Sequence, residues 1–232
     1  MQVVILAGGL ASRLGSLTLE QPKSMVRILG KPFLEYQLEI LRRGGIRDIV
    51  LCIGHLGEQI ESHFEDGSKF GINIRYSYEG EELLGTAGAL KKAERLLEDP
   101  FFTMYGDSYL FLDFATIMSY FESQNKPALM TVYENRGRYD RSNAAVEGKL
   151  VKKFSKQEKT NRMVYIEYGV NIFKKEVLNM VPAGEYYSLD DLFPRLIERQ
   201  ELLAFEADER FYEIGSLRGL QEFGQFINGR VQ

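Results

Sequence analysis

Short apolar runs alternate with helical patterns through the first half of the chain. Four of these runs have the length and composition of buried strands: Val3–Leu6, Asp48–Ile53, Ile72–Tyr76 and Phe101–Tyr105. The segments between them place apolar residues at helical spacing and predict helices that begin at Pro32 and span Leu56–Phe64 and Ala87–Leu97. Strands separated by helices of this length indicate βαβ units, and therefore a parallel sheet that is covered on both faces.

The second half of the chain has a different pattern, in which extended runs follow one another with short turns. The predicted strands are Ala128–Glu134, a hairpin of 144–147 and 150–154 that turns at Gly148-Lys149, and Val164–Phe173. Ser188 and Asp191 have the spacing of a capping box, and Pro194 is expected to kink or shorten the helix that follows. We therefore predict an α/β fold with a Rossmann-like, mostly parallel sheet flanked by helices and a small antiparallel extension.

Composition excludes several classes of protein. The chain has 232 residues, 44% of them hydrophobic and 27% charged, which is ordinary for one globular domain spanning residues 1–232. A net charge of −4 argues against a general nucleic-acid binder, which needs a basic surplus. Cys52 is the only cysteine, so a disulfide framework and a Cys-rich zinc site are excluded. The start of the chain lacks the charged segment of a signal peptide, and we expect a cytoplasmic protein without a membrane span.

The strongest chemical signal is the glycine loop that follows the first predicted strand. Gly8 and Gly9 are followed by Arg13, and Lys23 comes ten residues later. Such glycines let the backbone approach a ligand and leave N–H groups free for phosphate oxygens. The residue directly after Gly15 is Ser16 and not lysine, which excludes a Walker A loop. The adjacent glycines Gly8 and Gly9, followed by Leu10, exclude the dinucleotide-binding fingerprint. The loop therefore predicts a phosphate site in which Arg13 and Lys23 supply positive charge.

A second candidate for the same site is Asp107, which follows Gly106 directly after the fourth predicted strand. Ligands of open α/β sheets bind beyond the carboxyl ends of the strands, where the glycine loop also lies. A carboxylate at this position is suited to hold a divalent cation among phosphate oxygens.

These motifs resemble those of the sugar-1-phosphate nucleotidyltransferases, and the closest branch is the short, single-domain one that includes heptose-1-phosphate guanylyltransferases. The chain departs from the family pattern at four positions: the family has glycine at Ala11, threonine at Ser12, proline at Ser24 and aspartate at Glu213. The matching segments occur in the family's order over most of the chain: Leu6–Leu14, Pro22-Lys23, Lys31–Tyr36, Asp66–Tyr76, Leu84–Ala89, Gly106-Asp107-Ser108 and Phe211–Ser216.

The resemblance implies the nucleotide-diphospho-sugar transferase fold. It also implies the reaction of a nucleoside triphosphate with a sugar 1-phosphate to give an NDP-sugar and pyrophosphate, in the presence of Mg2+. It implies a nucleotide-binding half, residues 1–125, and a sugar-phosphate-binding half, residues 126–232. Arg13, Lys23 and Asp107 are the implied catalytic residues, and Asp107 and Glu213 the implied metal ligands. The implied nucleotide-binding residues are Leu6, Ala7, Gly8, Gly9, Arg13, Lys23, Gly85, Thr86 and Gly88. The implied sugar-phosphate-binding residues are Asn143, Lys156, Glu167 and Tyr168.

The sequence leaves several alternatives open. A heptose- or hexose-1-phosphate guanylyltransferase is our first interpretation, and the same chemistry with uridine, thymidine or cytidine nucleotides is the second. The expected ligands are then a nucleoside triphosphate and a sugar 1-phosphate, and no nucleic-acid or membrane partner is expected. A homo-oligomer is one assembly state that the sequence leaves open. A non-catalytic nucleotide-sugar-binding regulator is a rival, but such proteins usually lose the arginine, lysine or metal acid that this chain keeps. An inverting glycosyltransferase is disfavoured because Asp107-Ser108-Tyr109 lacks a second aspartate.

Overall fold

A computed structural model of the chain describes residues 1–9, 15, 20–80 and 82–231. The helices are α1 (Phe33–Arg43), α2 (Gly57–Phe64), α3 (Gly85–Ala93), α4 (Phe114–Ser123), α5 (Leu189–Glu198) and α6 (Leu217–Val231). The strands are β1 (Gln2–Leu6), β2 (Arg27–Ile28), β3 (Lys31–Pro32), β4 (Asp48–Ile53), β5 (Asn73–Tyr78), β6 (Phe101–Tyr105), β7 (Ser108–Tyr109), β8 (Ala128–Glu134), β9 (Ala144–Glu147), β10 (Leu150–Phe154), β11 (Tyr165–Phe173), β12 (Leu202–Glu206) and β13 (Tyr212–Glu213).

The chain forms two compact units that are interleaved along the sequence. The first unit contains residues 1–83, 104–111 and 211–232, and the second contains residues 84–103 and 112–210. The predicted assignment of residues 1–125 to the nucleotide and 126–232 to the sugar phosphate stays a prediction.

Parallel strands form the sheet of the first unit, in the order β5–β4–β1. β1 pairs with β4 from Gln2 opposite Asp48 to Leu6 opposite Cys52, and β4 pairs with β5 along its whole length. The side chains of Val3, Val4 and Ile5 are completely buried, so successive residues on both faces of β1 are covered. This burial explains the uninterrupted apolar run, since parallel strands are packed on both sides.

Helices α1 and α6 pack together through an aromatic cluster in the first unit. Helix α1 begins after Pro32 and ends at Gly44, as the sequence predicts. The Phe223 ring of α6 makes edge contacts with Phe33 and Tyr36 of α1, with ring centroids 5.1 and 5.5 Å apart. This cluster fixes the C-terminal helix against the helix that follows the β2–β3 hairpin.

The sheet of the second unit is mixed, with the order β11–β8–β12–β10–β9. β8 and β11 are antiparallel, and so are β9 and β10, which form the predicted hairpin. β12 runs parallel to β8, from Leu202 opposite Ala128 to Glu206 opposite Val132. The predicted antiparallel extension is therefore a five-stranded mixed sheet, because the chain returns through α5 and adds a parallel strand.

Pro194 does not shorten helix α5, which corrects that part of the prediction, and the alternative of a kink stays a prediction. The capping box forms as predicted: the Ser188 side chain accepts from the Asp191 N–H, and the Asp191 carboxylate accepts from the Ser188 N–H. The helix then continues through Pro194 to Glu198. Proline removes one hydrogen-bond donor, and burial of Phe193 and Leu196 on the apolar face offsets that loss.

The single cysteine lies in the core of the first unit. Cys52 in β4 is 0% exposed, and burial, followed by the negative charge of Glu79, raises the pKa of its thiol far above the usual range. A helix long and apolar enough to cross a bilayer is not found in the part of the chain that the structure describes.

Candidate active site

The glycine loop and the end of β6 come together at the carboxyl end of β1. The Ala7 N–H donates to the Cys52 carbonyl at 2.8 Å, which continues the ladder between β1 and β4 by one residue. The Gly106 N–H donates to the Leu6 carbonyl at 2.9 Å. The segments that carry Gly8 and Asp107 therefore leave the sheet side by side, as the parallel topology predicts.

Close backbone packing explains two of the glycines at this point. A Cβ on Gly8 would collide with the carboxylate of Glu79, which is 8% exposed at the end of β5. A Cβ on Gly106 would lie 2.8 Å from the Leu6 carbonyl oxygen and 3.1 Å from Cα of Ala7. Both positions exclude a side chain, so the loop passes close to its neighbours without steric conflict.

Lys23 and Asp107 form an ion pair across 84 residues of sequence. The Lys23 Nζ lies 2.5 Å from Oδ2 of Asp107, and the two side chains are 15% and 29% exposed. Lys23 begins a short 3₁₀ turn after Pro22, whose extended backbone directs the chain into this turn. The structure therefore brings together two of the three predicted catalytic residues. Arg13 lies outside the described residues, and its catalytic role stays a prediction.

The backbone on both sides of Asp107 is held by partners from other parts of the first unit. The Gln37 amide of α1 donates to the carbonyls of Tyr105 and Ser108. The Ile214 N–H donates to the Asp107 carbonyl at 3.0 Å, and β13 pairs with β7 there. These bonds fix the turn from which the Asp107 side chain extends.

Sequence reasoning did not identify Gln37, although the sequence contained a signal. Gln37 falls on the apolar face of α1, three residues after Leu34 and four before Leu41. A polar residue at a buried position needs hydrogen-bond partners, and its presence there indicates a specific contact.

The backbone of Glu213 lies beside that of Asp107 because β13 pairs with β7, but the Glu213 carboxylate contacts residues of its own turn. In the β13–β7 pair Glu213 is opposite Ser108. Its two oxygens accept from the N–H of Gly215 and from the hydroxyl of Ser216, the latter at 2.7 Å. The Ser216 Oγ in turn accepts from the Gly219 N–H at 2.9 Å, in the first turn of α6. Metal binding by Glu213 stays a prediction.

The donor set at Asp107 is compatible with a magnesium ion that shares its ligands with a substrate. Mg2+ usually takes one or two protein carboxylates and completes its shell with phosphate oxygens and water. Among the described residues, no cluster of three or more His, Cys, Asp or Glu side chains could form a complete protein cage. A single carboxylate at the end of a strand, beside a loop suited to phosphate, is consistent with such a shared site.

The predicted nucleotide-binding glycines of α3 pack against a neighbouring segment of the second unit. Gly85 has a φ of +72°, and a Cβ there would lie 2.8 Å from the Tyr187 carbonyl oxygen. A Cβ on Gly88 would lie 2.9 Å from the Glu185 carbonyl oxygen, and the Ala87 and Gly88 N–H groups both donate to Tyr187. These contacts account for the glycines by packing, and their role in binding base or ribose stays a prediction.

Thr86 connects the start of α3 to the start of α5. Its Oγ1 accepts from the Leu189 N–H at 2.7 Å, one of the N–H groups that have no partner within the helix. Nucleotide binding by Thr86 stays a prediction as well.

The predicted sugar-side residues form two groups in the second unit. The Asn143 Oδ1 accepts from the Glu167 N–H at 2.8 Å, and Asn171 Nδ2 donates to the Glu167 carboxylate at 3.1 Å. Asn143 and Glu167 are 8% and 9% exposed, so the carboxylate is held in a polar network. Lys156 pairs instead with Asp190 of α5 at 2.9 Å. Tyr168 is 1% exposed and packs against the Tyr133 ring in the core.

The strand ends, the start of the glycine loop and the Lys23–Asp107 pair lie together on an α/β fold. Residues 2–229 match the model of the nucleotidyl transferase family, and the chain belongs to that family. The resemblance found in the sequence is therefore confirmed.

Two similar proteins are named for nucleotidyl transfer to sugar 1-phosphates. The chain is 33% identical to UTP–glucose-1-phosphate uridylyltransferase of Synechocystis sp., over 99% of this chain and 63% of the relative. It is 28% identical to D-glycero-alpha-D-manno-heptose 1-phosphate guanylyltransferase of Campylobacter jejuni, over 93% of this chain and 95% of the relative. The chain thus spans less than two thirds of the first relative and nearly all of the second.

A solved structure agrees with the fold over nearly the whole chain. HddC from Yersinia pseudotuberculosis, complexed with GMP-PN, superposes with a TM-score of 0.82 at 27% identity and covers 97% of this chain and 99% of its own. The predicted nucleotide-diphospho-sugar transferase fold is confirmed by this similarity, with the mixed sheet in place of a purely antiparallel extension.

Proposed function

We propose that the protein transfers a nucleotidyl group from a nucleoside triphosphate to a sugar 1-phosphate, releasing pyrophosphate. The observation that carries the proposal is the Lys23–Asp107 pair beside the glycine loop, in a chain whose residues 2–229 match the nucleotidyl transferase family. Near the end of β6 the Lys23 ammonium is suited to bind phosphate, and the neighbouring Asp107 carboxylate is suited to bind a divalent cation.

In the proposed mechanism the sugar phosphate oxygen attacks the α-phosphorus in line with the departing pyrophosphate. Both reactants are anions, so positioning and neutralisation of charge supply most of the catalysis. Lys23 binds the α-phosphate or the incoming sugar phosphate, and Arg13 stabilises the charge that develops on the leaving pyrophosphate. The N–H groups of Gly8 and Gly9 are the proposed backbone donors to the phosphates, because the Ala7 N–H already donates to the Cys52 carbonyl. Leu6 and Ala7 remain proposed nucleotide contacts.

Asp107 holds a divalent cation in this proposal, and Mg2+ is the ion that its oxygen chemistry favours. Such an ion supplies neutralisation of the phosphate oxygens when it is bound. The half-buried Asp107 carboxylate is paired with Lys23. In this proposal Lys23 leaves the carboxylate to bind a phosphate, and Asp107 binds the divalent cation in place of the Lys23 ammonium. Glu213 is the second proposed metal ligand, directly or through a water.

The Asn143–Glu167 network is the proposed sugar-hydroxyl site. The Glu167 carboxylate is held by Asn171, and an oriented carboxylate accepts hydrogen bonds from vicinal hydroxyls with good geometry. Lys156 and Tyr168 remain proposed sugar-phosphate ligands. Lys156 is paired with Asp190 and would have to exchange this partner for the phosphate.

We propose a heptose or hexose 1-phosphate and GTP as the first substrates to test. Two similar proteins support guanine: the Campylobacter jejuni relative is named for heptose 1-phosphate guanylyl transfer, and the Yersinia structure contains GMP-PN. The Synechocystis relative is named for UTP and glucose 1-phosphate, which keeps uridylyl transfer as the alternative. The retained Lys23 and Asp107 favour an enzyme over a non-catalytic nucleotide-sugar-binding protein.

The test is pyrophosphate release with the purified chain, each of five nucleoside triphosphates and a panel of sugar 1-phosphates. We expect release with at least one pair, dependence on a divalent cation, and loss by two or more orders of magnitude in Asp107→Asn. Asp113→Asn is the matched control, because Asp113 caps α4 and asparagine is an equally good cap. Absence of release with every pair, or full activity of Asp107→Asn, would refute the proposal.

A further inference from the structure

Gln37 of α1 contacts the backbone on each side of Asp107. Its side chain is completely buried, and its Nε2 donates to the Tyr105 carbonyl at 2.9 Å and to the Ser108 carbonyl at 2.7 Å. The two carbonyls enclose Gly106 and Asp107. A single side-chain amide thus joins the residue before this dipeptide to the residue after it.

The orientation of this amide follows from its partners. Carbonyl oxygens only accept hydrogen bonds, so the NH2 group must face both of them and the amide oxygen must point away. Among the residues that the structure describes, the Gln37 Oε1 has no hydrogen-bond partner. Leaving a buried acceptor unpaired costs free energy, which the two hydrogen bonds to the turn must offset.

The turn at Asp107 needs such partners because the chain leaves the sheet there. Tyr105 is the last residue of β6 and Ser108 the first of β7, so the carbonyls of both residues lie at the border of regular pairing. Gln37 provides the donors from the α1 side. On the other side, the Ile214 N–H holds the Asp107 carbonyl at 3.0 Å. Asp107 is therefore held by its backbone from two directions.

We infer that Gln37 is a positioning residue for Asp107. By fixing the peptide groups that flank Gly106-Asp107, its amide keeps the Asp107 carboxylate where it meets Lys23 and the divalent cation. This inference rests on the proposed function, in which Asp107 is the metal ligand. Gln37 acts only through the turn and does not touch the substrate.

Two variants test this role while keeping the volume of the side chain. Gln37→Met keeps the length but has no donor, and Gln37→Glu keeps the shape but can offer at most one proton to the two carbonyls. The readout is the affinity of the full chain for Mn2+ in the presence of inorganic pyrophosphate, which supplies the phosphate oxygens of the shared site. It is measured from the electron paramagnetic resonance signal of Mn2+. We expect affinity to fall on the order of tenfold in Gln37→Met, as for other residues that orient a metal ligand, and by less in Gln37→Glu.

Thr131→Val is the control for the loss of a buried hydrogen bond. The Thr131 Oγ1 donates to the Val170 carbonyl at 2.6 Å in the sheet of the second unit. This variant should lower the melting temperature without a change in Mn2+ affinity. In an Asp107→Asn background, Gln37→Met should cause no further loss of Mn2+ binding, because the two residues act through one site.

The outcomes separate this inference from the proposed function. If Gln37→Met and Gln37→Glu melt lower, as Thr131→Val does, but bind Mn2+ within twofold of the unmodified chain, the positioning role is refuted while the metal role of Asp107 stands. If the unmodified chain and Asp107→Asn bind Mn2+ equally, the metal role of Asp107 fails, and the inference about Gln37 falls with it. Should Gln37→Met not fold, Gln37→Glu alone decides by the same comparison.

Discussion

Replacement of Lys23 by methionine separates the contribution of this residue to the fold from its contribution to the reaction. Methionine keeps the length and apolar stem of lysine but lacks the ammonium group. The variant therefore removes the contact of 2.5 Å to Asp107 and leaves that carboxylate, which is 29% exposed, to water.

The expected effects on stability and on activity differ greatly in size. An ion pair with side chains 15% and 29% exposed is only partly removed from water, and its loss should cost about 1 kcal/mol. For a chain of this size that corresponds to a decrease in melting temperature of about 2–4 °C. Loss of a cation that neutralises charge in the transition state should instead reduce kcat/KM by about 10²- to 10³-fold.

The assay is pyrophosphate release under saturating divalent cation, with thermal denaturation of the same preparations. Lys31→Met is the matched control, since the Lys31 Nζ pairs with Glu39 at 2.8 Å and the two side chains are 26% and 36% exposed. It should cost a similar amount of stability and leave the rate unchanged. A Lys23→Met enzyme with a rate within threefold of the control would refute the reasoning, because Lys23 would then be a structural ion pair only.

Three further substitutions test other parts of the site. Arg13→Ala should lower turnover by about two to three orders of magnitude with an unchanged melting temperature, and a near-normal rate in pyrophosphate release would contradict its role. Glu213→Asp should weaken activity or change the preference between Mg2+ and Mn2+ if this carboxylate binds the metal directly; unchanged kinetics with both ions would identify it as a bystander. Gly88→Ala places a Cβ 2.9 Å from the Glu185 carbonyl oxygen and should lower the free energy of unfolding by about 1–3 kcal/mol in urea denaturation, whereas an unchanged midpoint would show that the 185–187 segment can move away.

The sequence predicts the elements of the parallel sheet well, because length and apolar runs are sufficient for buried strands. β4 and β6 begin and end where the sequence predicts, and so does the hairpin of β9 and β10. The same logic places the glycine loop and Asp107 at one edge of the sheet, since the carboxyl ends of parallel strands lie together. The motif spacing adds Lys23 to this site, and its ion pair with Asp107 shows that the two side chains meet.

Other features depend on contacts that local patterns do not encode. One such feature is the parallel pairing of β12 with β8. The apolar run Leu202–Phe205 predicts a buried strand, but it does not indicate which strand it pairs with or whether the pairing is parallel or antiparallel. Gly85 and Gly88 match a nucleotide motif, but their lack of side chains is also required by the backbone of Glu185 and Tyr187, which is about 100 residues away in sequence. Helical spacing places Gln37 on the apolar face of α1, but it does not predict that the Gln37 amide donates to the carbonyls of Tyr105 and Ser108.

The burial of Cys52 makes this chain suitable for following its own unfolding. The protein contains one thiol, and this thiol lies inside β4 with no exposed surface. A thiol reagent can react only when the central strand of the first unit opens, so the rate of labelling reports how often that happens. Substrates that stabilise this unit should slow labelling in proportion to their occupancy, which gives a binding assay that needs neither turnover nor an introduced probe.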